Sequence, residues 1–160
     1  LEAVLLLIVI GWLTSLAIID LYTMLLPDQF VIGLSVTVLL FLAIQFAQLN
    51  LISVLSGSLV GAGLLLLLWL ITRQRGIGLG DVKLLFPLGA LLGLKGTLLL
   101  LWLAFIWGGL VDFWLLARGQ AKLKTPIPFG PFLIAAAILI LLIPALPEYF
   151  FFFLLGPLNY

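Results

Sequence analysis

The chain contains no cysteine and no histidine in 160 residues. Without cysteine there is no disulfide framework, no thiolate nucleophile and no Cys-based metal site. Without histidine there is no Ser-His or Cys-His triad. Charge is scarce too: seven Lys or Arg and six Asp or Glu make 8% of the residues, whereas a soluble domain carries about a quarter. The net charge of +1 supplies no long-range field to attract nucleic acid. Disorder needs low hydrophobicity and high charge, the reverse of this composition.

What is present is apolar surface, with 66% hydrophobic residues and a mean hydropathy of +1.45. So few charges cannot cover the surface of a soluble domain, and the chain reads as an all-α membrane protein forming one polytopic domain over residues 1–160. A spanning helix needs about 20 apolar residues. Six runs are read as spans: Ala3–Ile19, Phe30–Ala47, Leu51–Ile71, Thr97–Ala117 and Pro128–Pro144, with a shorter Val82–Leu94, broken by Lys83, after a glycine-rich stretch. Leu146–Tyr160 reads as an aromatic, interfacial tail, with Phe150–Phe153 as its anchor. Gly57 and Gly61 have the spacing that allows helices to approach closely, or are ordinary membrane glycines.

Alternate loops differ in basic residues. Arg73, Arg75, Lys83, Arg118, Lys122 and Lys124 fall on one set, and Lys95 alone on the other. The positive-inside rule puts the richer set in the cytoplasm, with Lys122 and Lys124 as topology determinants. Asp20, Asp28 and Asp81 then lie at the cytoplasmic boundary, while Glu2 and Glu148 lie outside.

The remaining chemistry must come from carboxylates, hydroxyls, lysines and backbone. Asp112 is six residues, or roughly 9 Å of helix rise, from Arg118. A carboxylate at a helix centre costs about 2.5–3.5 kcal/mol to insert, so Asp112 either pairs with Arg118, lies on an interior face, or has a task. Asp81 ends Gly76-Ile77-Gly78-Leu79-Gly80-Asp81. Alternate glycines permit a re-entrant turn presenting Asp81 to a wet cavity; the other reading is a cytoplasmic loop with Asp81 capping the fourth helix. No Lys-Ser/Thr follows to make a phosphate cradle. Two aspartates brought together can share a proton, one acting as general base on water and the other as acid. That chemistry needs no cysteine, histidine, metal or cofactor.

Three segments carry a resemblance. Ile19-Asp20-Leu21-Tyr22-Thr23-Met24-Leu25-Leu26-Pro27-Asp28 resembles the first active-site motif of the type IV prepilin peptidases. Gly78-Leu79-Gly80-Asp81-Val82-Lys83 resembles their second, the GxGD signature, and Thr125-Pro126-Ile127-Pro128-Phe129-Gly130-Pro131-Phe132 a third segment typical of the bacterial branch. The resemblance implies an aspartic endopeptidase of the bacterial inner membrane that cleaves prepilins or pseudopilins at the cytoplasmic face. Asp20 and Asp81 would be its catalytic pair, Gly78 and Gly80 the shapers of the active-site turn, and movement could be needed to join the carboxylates. Tyr22 stands where many bacterial members have a second acid. The cysteine-paired N-terminal region of larger members has no counterpart here, so cleavage without N-methylation is expected.

Lys83 either stabilises carboxylate charge at the site or anchors the helix start. Asp28, after Pro27, suits the opening of the second helix, with a secondary part in catalysis as the other reading. Two alternatives come from other classes: a small proton-coupled transporter using Asp20, Asp81 and Asp112, and a catalytically silent scaffold of a pilus or secretion system. Oligomeric state is not legible from the residues.

Overall fold

The computed structural model describes residues 1–72, 77–119 and 128–155. Arg73, Arg75, Gly76, Lys122, Lys124 and the opening of the third segment, Thr125–Ile127, lie outside the described residues. The elements are helices α1 (Glu2–Thr23), α2 (Asp28–Ile44), α3 (Leu51–Ile71), α4 (Leu79–Ala117), α5 (Gly130–Leu142) and α6 (Leu146–Leu155). A short 3-10 turn, Phe46–Gln48, links α2 to α3. The all-helical membrane architecture expected from composition is what the chain adopts. α1, α3 and α4 are each long and apolar enough to cross a bilayer, α5 and α6 together would make a fourth span, and α2 is shorter at 17 residues.

Helices solve the bilayer problem because each satisfies its own backbone groups. Their apolar residues then divide between two surroundings. Leu13, Leu16, Leu34, Leu84, Leu88 and Leu133 are fully buried between helices, whereas Leu7, Ile32, Leu39, Leu59 and Phe113 point outward. Outward leucines at these depths face lipid, which suits them as well as a core does.

The sequence reading separates a fourth and a fifth helix at Lys95-Gly96. The chain instead turns two residues earlier, at Gly93, whose φ of 66° and ψ of −177° interrupt α4. A straight helix of 39 residues would run about 58 Å, nearly twice the hydrocarbon thickness. Leu85 and Thr97, twelve residues apart, would then stand about 18 Å from each other. Both press on the same spot of α3, within 3.2 and 2.6 Å of where a Cβ on Gly61 would lie. α4 therefore doubles back at Gly93 and forms two arms. Only glycine adopts this φ without strain, and Lys95 stays on the outer surface with its side chain free to reach polar groups.

The doubling back is held by α3. The Gly57 and Gly89 backbones touch directly, each lying where the other's Cβ would have to go, and Gly93 packs 2.7 Å from the same position on Gly57. Ser58 Oγ donates to the Phe86 carbonyl at 3.0 Å, and the Leu94 N–H donates to Ser53 Oγ at 3.3 Å. The Gly57-x-x-x-Gly61 spacing thus serves close packing within the chain. Asn50 starts α3, its Oδ1 accepting from the Ser53 N–H at 3.1 Å.

At the far end α6 leaves α5 at 99°. Phe150 packs on Trp102, ring centroids 4.9 Å apart, and Glu148 pairs with Lys95 at 2.8 Å. α6 is the segment that the sequence reading takes as an aromatic tail. The turn at Gly93 and helix α6 occupy one end of the bundle. The C-terminus of α1, the N-termini of α2 and α5, and both ends of α4 gather at the other.

Candidate active site

Asp20 lies one turn from the end of α1, and its carbonyl accepts from the N–H of Met24, which closes the helix in the left-handed region (φ 53°). Met24 to Pro27 then carry the chain to α2. Asp81 lies in the first turn of α4. The N-cap is Gly78, not Asp81. The Asp81 carboxylate reaches back so that its Oδ2 accepts from the Gly78 N–H at 3.1 Å, while the Asp81 N–H donates to the Gly78 carbonyl at 3.1 Å. Gly78 has no side chain, so Asp81 supplies the only side-chain half of this cap. One oxygen of Asp81 is fixed in the helix start, and Oδ1 is turned to the interior.

The two glycines of the motif serve differently from a bent turn. Gly78 is extended (φ −81°, ψ 149°), a conformation open to any residue, and Gly80 is helical. Gly80 is instead a point of close approach, since a Cβ there would come 2.9 Å from Leu26 Cβ. The loop after α1 can therefore lie flat against the start of α4, which brings the two motifs together.

Asp20 and Asp81 are both about 95% buried, the only buried acids among the described residues. Their meeting point is Gly130, the first residue of α5. A Cβ on Gly130 would run into Asp20 Oδ2, with Asp20 Cγ at 3.1 Å and Asp81 Oδ1 at 3.2 Å. The Asp20 carboxylate therefore lies directly against the backbone at the start of α5. At this helix start the Phe132 and Leu133 N–H groups turn back to the Phe129 carbonyl, and Pro131 has no N–H to give. Gly130 thus brings the positive end of a 13-residue helix to the carboxyls. Both acids thus approach the same point of the backbone, the first residue of α5.

Gly130 belongs to the third segment of the resemblance, which by itself assigns it no part in the site. The signal was there: a glycine before a proline opening an apolar run marks a helix start with a free donor. What it would meet depended on the fold.

The other candidates fall outside this pair. Lys83 Nζ reaches Asp28 Oδ1 at 2.7 Å across the outer rim, with both side chains more than half exposed. Tyr22 is exposed. Asp112 does not pair with Arg118, whose guanidinium lies 4.0 Å over the Trp114 ring. It lines a separate groove between α4 and the start of α5. The remaining buried polar side chains, Thr37, Ser58 and Thr97, are hydroxyls bonded to backbone carbonyls. Among the described residues, then, no buried titratable group leads from the pair toward the other end of the bundle, as a proton relay would need. No group of acids there could hold a metal ion either.

A family model described as the type IV leader peptidase family matches residues 7–113, a stretch that includes both aspartates. A prepilin leader peptidase/N-methyltransferase of Xanthomonas campestris pv. campestris is 37% identical over 134 residues, covering 78% of this chain and 45% of that protein. One from Aeromonas hydrophila is 38% identical, covering 81% and 46%. The leader peptidase HopD of Escherichia coli is 36% identical, covering 72% and 77%. The chain spans about half the length of the first two. No solved structure matches it. With the family model matching well over half of its residues, this multi-pass membrane chain belongs to the type IV leader peptidase family.

Proposed function

We propose that the chain is an aspartic endopeptidase that removes the leader peptide of prepilins or pseudopilins at the cytoplasmic face of the bacterial inner membrane. The observation that carries this reading is the burial of Asp20 and Asp81 with both carboxylates against one residue, Gly130. Two carboxyls so close share a proton, because both cannot ionise easily. The ionised partner takes a proton from water, whose oxygen adds to the scissile carbonyl carbon. The other partner then protonates the departing nitrogen as the carbon–nitrogen bond breaks. The dyad ends with its proton on the opposite partner and returns to its starting state by proton exchange.

The Asp81 Oδ2 fixed by the Gly78 N–H leaves Oδ1 free for the reacting centre, and Asp20 lies against the Gly130 backbone beside it. The positive-inside count supports a cytoplasmic location for the end of the bundle that carries the two aspartates. The test is cleavage of a model prepilin by the purified chain beside Asp20→Asn and Asp81→Asn. Loss of cleavage in both variants, with helical content and thermal unfolding retained, is the expected result. Retained cleavage in either variant removes that residue from the dyad.

A further inference from the structure

Besides Gly130, a second train of contacts runs from one acid to the other. It begins at Asp20, whose carbonyl accepts from the Met24 N–H at 2.8 Å. Thr23 holds the next step, its Oγ1 donating to the Ile19 carbonyl at 2.8 Å and accepting from the Leu25 N–H at 3.3 Å. Met24, at φ 53°, turns the chain out of α1. Leu26 then comes to rest on Gly80, the residue before Asp81. A Cβ on Gly80 would meet Leu26 Cβ at 2.9 Å, Cδ1 at 3.1 Å and Cγ at 3.3 Å.

Leu26 is unlike its neighbours. Leu21, Tyr22, Met24 and Leu25 are all exposed, whereas Leu26 is half-buried and packs against the apolar core. Pro27 follows it and restricts its backbone to extended conformations, which leaves little slack before α2. The Lys83–Asp28 pair spans the same junction, but both of its side chains are more than half exposed, and such pairs hold weakly. An apolar side chain seated on bare backbone keeps a separation that a solvated ion pair does not.

We propose that Leu26 is a positioning residue for the catalytic pair: seated on Gly80, it sets the distance between the Asp20 and Asp81 carboxyls. It acts through the loop that closes α1 and through the first turn of α4. This role rests on the peptidase reading for what the pair does, and adds a separate claim about what sets its spacing.

Two readouts test it, one of which needs no cleavage. In the first, kcat and KM for a model prepilin are measured in Leu26→Ala, Leu26→Met and Leu25→Ala. Leu26→Ala frees the loop to shift, so kcat should fall about tenfold or more while KM stays within about twofold, as for misplaced catalytic groups. Leu26→Met keeps the volume and should remain within about threefold of wild type. Leu25→Ala changes an exposed side chain of the same loop and should leave both constants unchanged. Leu26→Val, with a shorter side chain, carries the same test should Leu26→Ala unfold.

In the second readout, the lack of cysteine lets Asp20→Cys and Asp81→Cys be combined and joined by a short bifunctional thiol reagent. Adding Leu26→Ala should slow that cross-link about tenfold, since its rate follows the proximity of the two groups; adding Leu26→Met should not. Equal kcat in Leu26→Ala and Leu25→Ala overturns the proposal. So does a cross-link indifferent to Leu26→Ala, no cross-link in the parent pair, or a change confined to the unfolding midpoint. A cross-link that follows Leu26, beside a wild-type chain that cuts no prepilin, would keep the spacing role and overturn the peptidase reading. Cleavage that requires both aspartates but ignores Leu26 would do the reverse.

Discussion

The carboxylate of Asp20 occupies the space that a side chain on Gly130 would need. The first residue of α5 and the last turn of α1 are thereby fitted to each other, with Asp81 completing the contact from α4.

Gly130→Ala is the sharpest test of that fit. The added methyl must displace the Asp20 carboxylate or the start of α5. Misplacing a catalytic group by about an ångström can cost on the order of 100-fold in rate. A fall in kcat of that size, with an unfolding midpoint close to wild type, is the expected outcome. Unchanged kcat would show that the dyad does not work in this geometry.

The Lys83–Asp28 ion pair should matter far less. Its side chains are 52% and 63% exposed, and exposed pairs contribute about 0–1 kcal/mol. A double-mutant cycle with Lys83→Ala and Asp28→Ala should give a coupling energy within that range. Prepilin cleavage should fall no more than about threefold in either variant. Abolished cleavage in Lys83→Ala beside an active Asp28→Ala would instead put Lys83 to work on the dyad.

The α3–α4 contact should be the least tolerant of added volume. Gly93→Ala places a Cβ at φ 66° and 2.5 Å from Ser53 Oγ, and strained backbone of this kind costs about 1–3 kcal/mol. Gly89→Ala drives a methyl into the Gly57 backbone. Both should lower the unfolding midpoint in detergent. Gly63→Ala, with nothing within 4 Å, should stabilise its helix by about 0.5–1 kcal/mol. Equal effects at all three positions would contradict the packing.

The absence of cysteine allows the topology to be tested directly. Single cysteines replacing Met24 or Arg118 should react with an impermeant thiol reagent only from the cytoplasmic side. Cysteines replacing Asn50 or Glu148 should react only from the opposite side. The reverse pattern would turn the site outward.

The residues alone determined the membrane class, because no water-exposed surface can be built from so few charges, and they set the approximate limits of the helices through the lengths of the apolar runs. They also placed Asp20 and Asp81 on one side of the bilayer, since topology follows from a count of Lys and Arg in loops. Tertiary structure decided what these residues meet. The chain turns at Gly93, not at the polar Lys95-Gly96, because the φ needed for a reversal and the closeness of Ser53 and Gly57 leave room only for glycine; hydropathy does not register either constraint. Lys83 follows Asp81 by two residues yet pairs with Asp28, because successive residues on a helix point in different directions while α2 begins alongside. The place of Gly130 between the two acids depends on α5 entering the bundle beside the ends of α1 and α4, a relationship among segments far apart in the chain that no local pattern encodes.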